Sequence, residues 1–342
     1  MDFRRKNIDL VGRMRLWFGI SLAVLAVGLI SWAAFGLNLG IDFQGGSQFT
    51  YRIPDAARPA AGQEVTLLAK VNQGLEAAKL NGTRTQIAGG QDLVVNTPAL
   101  TDSEANAQAR VVNEAVAKAF GVEKITPEGR QQVGAVIGDE LRANAIKGVV
   151  FGVLAIALWI YIRYNFAGDG TRFAVAGIVA LVHDVLVLLG IFALIGRIDP
   201  RIEIDGAFIA ALLTVVGYSI NDSVVIFDRL RENLRNRRKE PFEKVVNDSL
   251  LETMSRSINT GLTVLIMLFV LLMFGGESIY NFTLAMLIGI ASGLYSSIFN
   301  ASMVLVAWHR WDEKKAARAK ANRASVSVRE TARSGALKPR AK

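Results

Sequence analysis

Ionisable side chains are rare inside the apolar segments of this 342-residue chain, and those that occur there are the first candidates for function. They are His183, Asp184 and Asp222, with Arg256 at the mouth of a further apolar segment. A carboxylate that alternates between pairing with an arginine and binding a proton makes a proton relay, because burial and a nearby cation change its proton affinity in opposite directions. The sequence therefore predicts a proton relay formed by Asp222 and Arg256.

Hydroxyl residues surround this predicted relay. Ser219 precedes Asp222 by three residues, which places the two on the same side of a helix. If the next apolar segment runs antiparallel, its Thr260 comes to a similar depth, and Arg256 can reach inward to Asp222. The alternative is a static salt bridge between helices, with Arg256 as an ordinary positive anchor at the end of a span.

His183 and Asp184, together with Ser219 and Thr260, form a possible second polar site within the membrane. As sequence neighbours on a helix, His183 and Asp184 point about 100° apart, so we expect that they do not both face one partner helix. One of them then packs against another helix. A structural role and a functional role are both open for this pair.

The composition excludes several classes of site. The chain has no cysteine and two histidines, which removes disulfides, thiolate chemistry and metal centres with several histidines. It contains no phosphate-binding GxxxxGK[ST] loop, and no HExxH or GxSxG motif. We therefore expect a protein that is not an enzyme, without catalytic residues, cofactor or metal, and without a nucleic-acid partner.

The elements that position these residues are membrane spans. Hydrophobic residues make up 51% of the chain, and the mean hydropathy is +0.33. Apolar runs of about 18 residues or more are long enough to cross a bilayer as helices. Six such runs lie near residues 16–35, 146–162, 173–195, 206–227, 257–274 and 282–308.

Basic residues predict the orientation of the spans. They concentrate in the N-terminal segment 1–15, in a loop at 228–256 and in the tail 309–342, which has 11 basic and three acidic residues. With six crossings these three regions lie on one side, which the positive-inside rule makes cytoplasmic. The segment 36–145 is then exported, and the basic Ala/Ser-rich tail is predicted to be disordered.

The exported segment has the pattern of a folded domain between spans 1 and 2. Strand-like and helix-like patterns alternate in the order β-α-β-β-α-β, which is the ferredoxin-like arrangement. The predicted elements are strands at 47–53, 83–89 and 92–98, helices at 64–80 and 103–120, and a last strand within 125–138. The predicted fold is thus an α-helical polytopic membrane protein with six transmembrane helices and one exported α+β ferredoxin-like domain.

Three motifs resemble a known family. They are LNLGIDFQGGSQF at 37–49, VGYSINDSVVIFDRLREN at 216–233 and SRSINTGLTVL at 255–265. With the order of spans over about residues 1–311, they are similar to the SecF branch of the SecD/SecF protein-export proteins, within the resistance-nodulation-division superfamily. The related SecD branch has a VDAN-like context for its acidic residue, whereas this chain has Ile-Asn-Asp-Ser around Asp222.

The resemblance implies a function in protein export. It implies a heteromer with SecD, association with the SecYEG channel and YajC, and use of the proton motive force to complete translocation of polypeptides across the bacterial inner membrane. It also implies that Asp222 carries the proton and that Arg256 is its cationic partner. Asp42, Gly45 and Gly46 would form a hinge motif where the first span meets the exported domain. Translocating polypeptide and membrane lipids are the remaining expected contacts.

Two other functions remain open at this point. One is a proton-coupled exporter of small molecules or lipids from the same superfamily, and the other is a passive membrane assembly factor. The sequence also leaves open whether H⁺ or Na⁺ is the coupling ion, because a carboxylate with neighbouring hydroxyls can serve either.

Overall fold

Six long apolar helices form the membrane part of the protein. The computed structural model describes residues 8–59, 63–80, 82–98, 102–165 and 170–336, and the remaining residues, including parts of the predicted N-terminal segment and tail, lie outside the described chain. The prediction of six spans is confirmed. The spans are α1 (Met14–Phe35), α5 (Ala135–Asn165), α6 (Gly170–Ile198), α7 (Gly206–Asn236), α8 (Phe242–Phe274), and α9 (Tyr280–Ser296) continued by α10 (Ser302–Ala336).

The helices α6, α7 and α9 form the centre of the bundle. Half of the residues in the apolar stretch of each are buried, whereas α1, α5 and α8 leave most of theirs exposed. Large aromatic and aliphatic side chains such as Phe208, Phe227 and Leu181 fill the centre. The outer helices are apolar all round, which suits surfaces that face lipid or another membrane protein.

Small residues allow the helices to approach at their backbones. A Cβ atom built on Gly190 of α6 would lie 2.5 Å from the Cα of Gly28 on α1. A Cβ atom on Gly293 of α9 would lie 2.9 Å from the Cβ of Ser219 on α7. These contacts are closer than any larger residue permits, and they bring the polar groups of α6, α7 and α9 within hydrogen-bonding distance of one another.

The predicted loop at 228–256 is largely helical, which corrects the sequence-based boundary. The helix α7 continues to Asn236 and α8 begins at Phe242. Buried apolar residues such as Leu230 and Val245 continue into these extensions, and Arg237 forms ion pairs with Asp248 and Glu252 across them. Packing and charge pairing therefore keep the ends of both helices ordered beyond the apolar spans.

The basic tail also differs from expectation. Where the sequence predicted disorder, the helix α10 extends to Ala336. The segment is rich in Ala, Lys and Arg, which have high intrinsic helix propensity, so the helix can continue without burying an apolar face. Its base is anchored because Arg310 pairs with Glu243 at the start of α8.

A small α+β domain lies between α1 and α5, and it confirms the predicted ferredoxin-like order. Its antiparallel sheet has the strand order β2-β3-β1-β4, and its core includes Phe49, Tyr51, Val71, Leu93 and Val116. Its strands are β1 (Gly46–Arg52), β2 (Arg84–Ala88), β3 (Asp92–Thr97) and β4 (Gly129–Val133). Its helices are α3 (Glu64–Ala77) and α4 (Asp102–Phe120), and the short helix α2 (Ile41–Gln44) leads into the sheet.

Candidate intramembrane polar site

Asp222 lies on α7 with its two carboxylate oxygens in different surroundings. The hydroxyl of Ser257 on α8 donates to Oδ1 at 2.5 Å. Oδ2 is buried and has no hydrogen-bond partner among the described residues. A buried carboxylate oxygen without a partner is a costly place for negative charge, and binding a proton there removes the charge. The geometry is that of a carboxylate open on one side to protonation.

Arg256 does not form the direct ion pair expected from the sequence. Its side chain is exposed, and no carboxylate of the described residues lies within 4.0 Å of it. The next residue, Ser257, bonds to Asp222 through its hydroxyl, where the guanidinium of Arg256 was expected. The positive charge of Arg256 still lies close enough to act on Asp222. Arg256 thus lies near Asp222 but forms no ion pair with it in this structure.

Asp184 on α6 is surrounded by hydrogen-bond donors. It is fully buried, and the hydroxyls of Ser219, Ser292 and Ser296 donate to it at 2.7 Å each. The fourth contact comes from the Nδ1 atom of His183 at 3.1 Å. Such donors satisfy both carboxylate oxygens, which permits a polar group at the junction of three apolar helices.

His183 corrects the expectation that the two neighbours face different helices. Its ring stacks on Tyr295 of α9, with centroids 6.3 Å apart, and Asp184 also contacts α9 through Ser292. A carboxylate oxygen accepts, so the contact with Oδ1 of Asp184 favours a hydrogen on the Nδ1 atom. The Nε2 atom is buried without a partner among the described residues, and the ring borders a cavity of about 350 Å³ between α1, α6 and α9.

Ser219 donates to Asp184, with which it was grouped in the predicted second polar site, and not to Asp222, which follows it by three residues on the same helix. Its carbonyl oxygen accepts from the hydroxyl of Ser297 at 3.0 Å, and Ser297 is bonded in turn to Ser223 at 2.9 Å. Ser297 begins a π-helical turn, Ser297–Ala301, which joins α9 to α10. Such turns interrupt regular helices and often lie at functional sites.

Thr260 is the one predicted hydroxyl that joins neither carboxylate. It is exposed on α8, and the hydroxyl of Thr263 donates to its carbonyl oxygen at 2.8 Å. Sequence reasoning missed Ser257, Ser292 and Ser296. A signal for the last two is present in the sequence, since Ser292 and Ser296 lie among small residues at helical spacing on α9. In the described part of the chain no group of three or more His, Cys, Asp or Glu residues could hold a metal ion.

Two family models match the chain. The model of the SecD/SecF GG motif matches residues 30–53, and that of protein export membrane protein SecD/SecF, C-terminal, matches residues 112–311. The chain belongs to the SecD/SecF family. The C-terminal match contains His183, Asp184, Asp222 and Arg256, so both carboxylate sites lie in the region that defines the family.

Curated members of the SecD/SecF family resemble the chain over most of its length. Protein translocase subunit SecF of Thermobaculum terrenum is 38% identical over 313 residues, with 89% of this chain and 95% of that protein covered. Protein translocase subunit SecF of Alicyclobacillus acidocaldarius is 38% identical over 326 residues, with 92% and 97% covered. The resemblance inferred from the sequence is therefore confirmed.

Solved SecDF structures share the fold. The crystal structure of SecDF, a translocon-associated membrane protein from Thermus thermophilus, has a TM-score of 0.75 at 32% identity and covers 91% of this chain. A second SecDF structure, in a super-membrane-facing form, has a TM-score of 0.63 at 33% identity. The chain spans 40% of the length of each SecDF chain.

The GG motif of the SecD/SecF family joins α1, the α+β domain and α7. The two glycines have positive φ values, 69° at Gly45 and 140° at Gly46, and a Cβ atom on Gly46 would lie 2.2 Å from the carbonyl oxygen of Thr97. Only glycine tolerates both conditions. Asp42 accepts a hydrogen bond from the backbone N–H of Gly206 at 2.8 Å, at the first residue of α7. The motif thus contacts the helix that carries Asp222.

Proposed function

We propose that this chain is a SecF-type subunit of the protein translocase, which uses the proton motive force to promote the late stage of polypeptide export together with a SecD-type subunit. Support comes from the curated relatives, which are translocase subunits of nearly the same length. The solved SecDF chain is longer, and a separate SecD-type partner would supply the rest of such an assembly. Association with a SecYEG-type channel and YajC belongs to the same proposal.

The proposal includes an orientation. Both termini lie in the cytoplasm and the α+β domain lies on the outer side of the bacterial inner membrane, because positive residues concentrate at the opposite end of the bundle. The emerging polypeptide then meets the α+β domain, and the exposed apolar faces of α1, α5 and α8 meet lipid or partner helices.

The proposal of proton coupling depends on the buried carboxylate oxygen Oδ2 of Asp222, which has no hydrogen-bond partner among the described residues. Protonation at Oδ2 neutralises the carboxylate, and deprotonation restores a charge that attracts the neighbouring Arg256. The Ser257 hydroxyl holds Oδ1 and keeps the carboxyl group between α7 and α8. A proton that enters and leaves this group therefore changes the force between the two helices.

The helix α7 connects this change to the outer domain. Asp222 and Gly206 are separated by 16 residues of one helix, or roughly 24 Å at 1.5 Å per residue. At its first residue α7 holds Asp42 of the GG motif. A shift of α7 against α8 thus moves the base of the α+β domain, and repeated tilting of this domain would bias an emerging chain outward.

The experiment is proton-driven export in membrane vesicles that contain Asp222→Asn. We expect the stimulation of export by a proton gradient to disappear, while export measured without a gradient continues. The matched control is Asp139→Asn, which makes the same change at an exposed position on α5. Collapse of the proton and sodium gradients in separate samples identifies the coupling ion.

Two outcomes contradict the proposal. Equal stimulation by the proton gradient in Asp222→Asn and in the Asp139→Asn control would remove the relay. If Asp222→Asn were harmless while Met267→Ala and Phe274→Ala, at exposed apolar positions of α8, abolished co-purification with SecD, the passive assembly role would be favoured instead.

A further inference from the structure

A buried glutamate lies where the α+β domain meets the membrane helices. Glu203 belongs to the loop between α6 and α7, and 7% of its surface is exposed. Its Oε1 atom accepts from the side-chain amide of Asn96 on β3 at 3.3 Å and lies 3.8 Å from the guanidinium of Arg84 on β2. The residue therefore links the loop before α7 to two strands of the α+β domain.

A backbone seam runs beside Glu203. Leu39 and Ile204 form a parallel bridge, in which the N–H of Gly40 donates to the Ile204 carbonyl at 2.9 Å and the N–H of Ile204 donates to the Asn38 carbonyl at 2.7 Å. A Cβ atom on Gly40 would lie 3.2 Å from Oε2 of Glu203. The bridge between Leu39 and Ile204 thus places the Glu203 carboxyl group close to the backbone of Gly40.

The charges around Glu203 are unbalanced toward the negative. In the described part of the chain, Asp205 on the same loop and Asp42 on α2 face it with negative charge, and Arg84 supplies the positive charge. Arg84 also donates to the Asn38 side chain and, at 3.1 Å, to the Leu39 carbonyl. Arg84 consequently keeps hydrogen-bond partners when Glu203 is neutral.

These surroundings raise the pKa of Glu203 to about 7. Burial is the largest cause, and the charges of Asp205 and Asp42 act in the same direction. The charge of Arg84 and the hydrogen bond from Asn96 act in the opposite direction and do not compensate.

We propose that Glu203 is a proton-binding site that controls the attachment of the α+β domain to the loop between α6 and α7. In the docked state the domain contacts this loop and Glu203 is protonated. In the released state the contact is broken and Glu203 is ionised. The ligand is a proton from the outer solution. The inference deepens the proposed function, because it rests on the outer placement of this domain. Under a proton motive force the acidic outer side then favours docking, and loss of the proton favours release.

The sign follows from the two states. Release exposes Glu203 to water and returns its pKa toward the ordinary value of 4.5, so the docked state binds the proton more tightly and gains stability as the pH falls. From pH 8.5 to pH 5.5 the ratio of docked to released domain should rise about 30-fold, for pKa values near 7 and 4.5 in the two states.

The test measures the distance between the two parts of the full chain. The protein has no cysteine, so spin labels attached at Glu76→Cys on α3 and Ile198→Cys at the end of α6 report the position of the α+β domain alone. In lipid nanodiscs, double electron–electron resonance should show one short distance at acidic pH and a growing longer population at alkaline pH. In Glu203→Gln, which stays neutral, the short distance should persist at both pH values.

The control is Glu123→Gln, at an exposed position of the α+β domain, which should behave as the parent chain. An unchanged distance distribution across the pH range, or a pH response of Glu203→Gln equal to that of the parent, would overturn the proposal. If Glu203→Gln does not fold, Arg84→Gln tests the same idea. It removes the cation that favours the ionised form of Glu203, so the pH at which half of the domains are released should rise. An unchanged pH of half-release also counts against the proposal.

Asp222→Asn separates this inference from the proposed function. The measurement uses no gradient and no polypeptide, so the pH response at Glu203 should persist in Asp222→Asn. A lost export function with an intact pH response, or the reverse, shows which of the two statements has failed.

Discussion

Replacement of Ser296 by alanine tests whether the hydroxyls around Asp184 stabilise the bundle. Ser296 is fully buried, and its hydroxyl donates to Oδ2 of Asp184 at 2.7 Å. After the change Oδ2 retains Ser219 as its donor. Hydrogen bonds to charged groups contribute about 1.5–3 kcal/mol in soluble proteins, whereas hydrogen bonds between membrane helices average about 0.6 kcal/mol and reach about 1.7. We expect Ser296→Ala to lower the free energy of unfolding by about 1–2 kcal/mol, near the upper membrane value.

Ser302 provides a matched control. It is a fully buried serine on α10 whose hydroxyl has no partner among the described residues. Ser302→Ala removes the same atom without breaking a hydrogen bond, so its effect should stay within about 0.5 kcal/mol. Unfolding of the purified protein in mixed micelles with increasing SDS, followed by circular dichroism, gives both values.

A double-mutant cycle makes the test specific. In an Asp184→Asn background Ser296 no longer faces a carboxylate, so Ser296→Ala should cost less than in the parent chain. Equal losses of stability for Ser296→Ala and Ser302→Ala, or an equal cost of Ser296→Ala in both backgrounds, would refute the assignment of Asp184 as the hydrogen-bonded centre that joins α6, α7 and α9.

Two further predictions concern helix contact and the Asp222 site. Gly190→Ala places a methyl group against the backbone of Gly28 and should destabilise the protein by about 1–3 kcal/mol in the same unfolding assay. The control Gly19→Ala, whose added methyl group meets no atom within 4 Å, should be neutral. Equal effects of the two changes would contradict the close approach of α1 and α6. Ser257→Ala removes the donor to Asp222 and should reduce proton-stimulated export in vesicles several-fold, roughly the effect of 1 kcal/mol. Ser257→Thr keeps a hydroxyl and should restore export. A threonine variant as slow as the alanine variant would contradict a role of the hydroxyl at Asp222.

The spans and the α+β domain could be predicted because each rests on a local pattern. Apolar runs long enough to cross a bilayer have few alternatives to a helix, since the hydrocarbon interior offers no partners for an unpaired backbone. The β-α-β-β-α-β order followed from alternation and helical spacing, and the strand order β2-β3-β1-β4 follows from that connectivity. The continuation of α10 was missed because composition, rather than helix propensity, guided the prediction for the tail.

The contacts of the polar residues could not be predicted from spacing alone. Residues three apart on a helix differ by about 60° in direction, so Ser219 and Asp222 lie on one side of α7 and still contact different helices. Likewise, Ser257 rather than its neighbour Arg256 meets Asp222 because the rotation of α8 decides which residue points inward. These rotations depend on close packing at glycines such as Gly293 and Gly261, which local periodicity does not encode.

Glu203 shows the same limit outside the membrane. In the sequence it is one acidic residue in a short loop. Its burial depends on the parallel bridge between Leu39 and Ile204, which joins segments separated by more than 160 residues. A contact between such distant segments leaves no periodic signal, so a structure was needed to find it.

Proton movement during polypeptide translocation tests the central claim most directly. Proteoliposomes containing the complete translocase and a pH-sensitive dye in the lumen would report protons that cross while a substrate polypeptide is exported. The account predicts that Asp222→Asn abolishes the proton movement that accompanies translocation, while Ser302→Ala leaves it at the level of the parent chain. Proton movement of equal size in Asp222→Asn and in the parent would contradict the claim that Asp222 carries the proton.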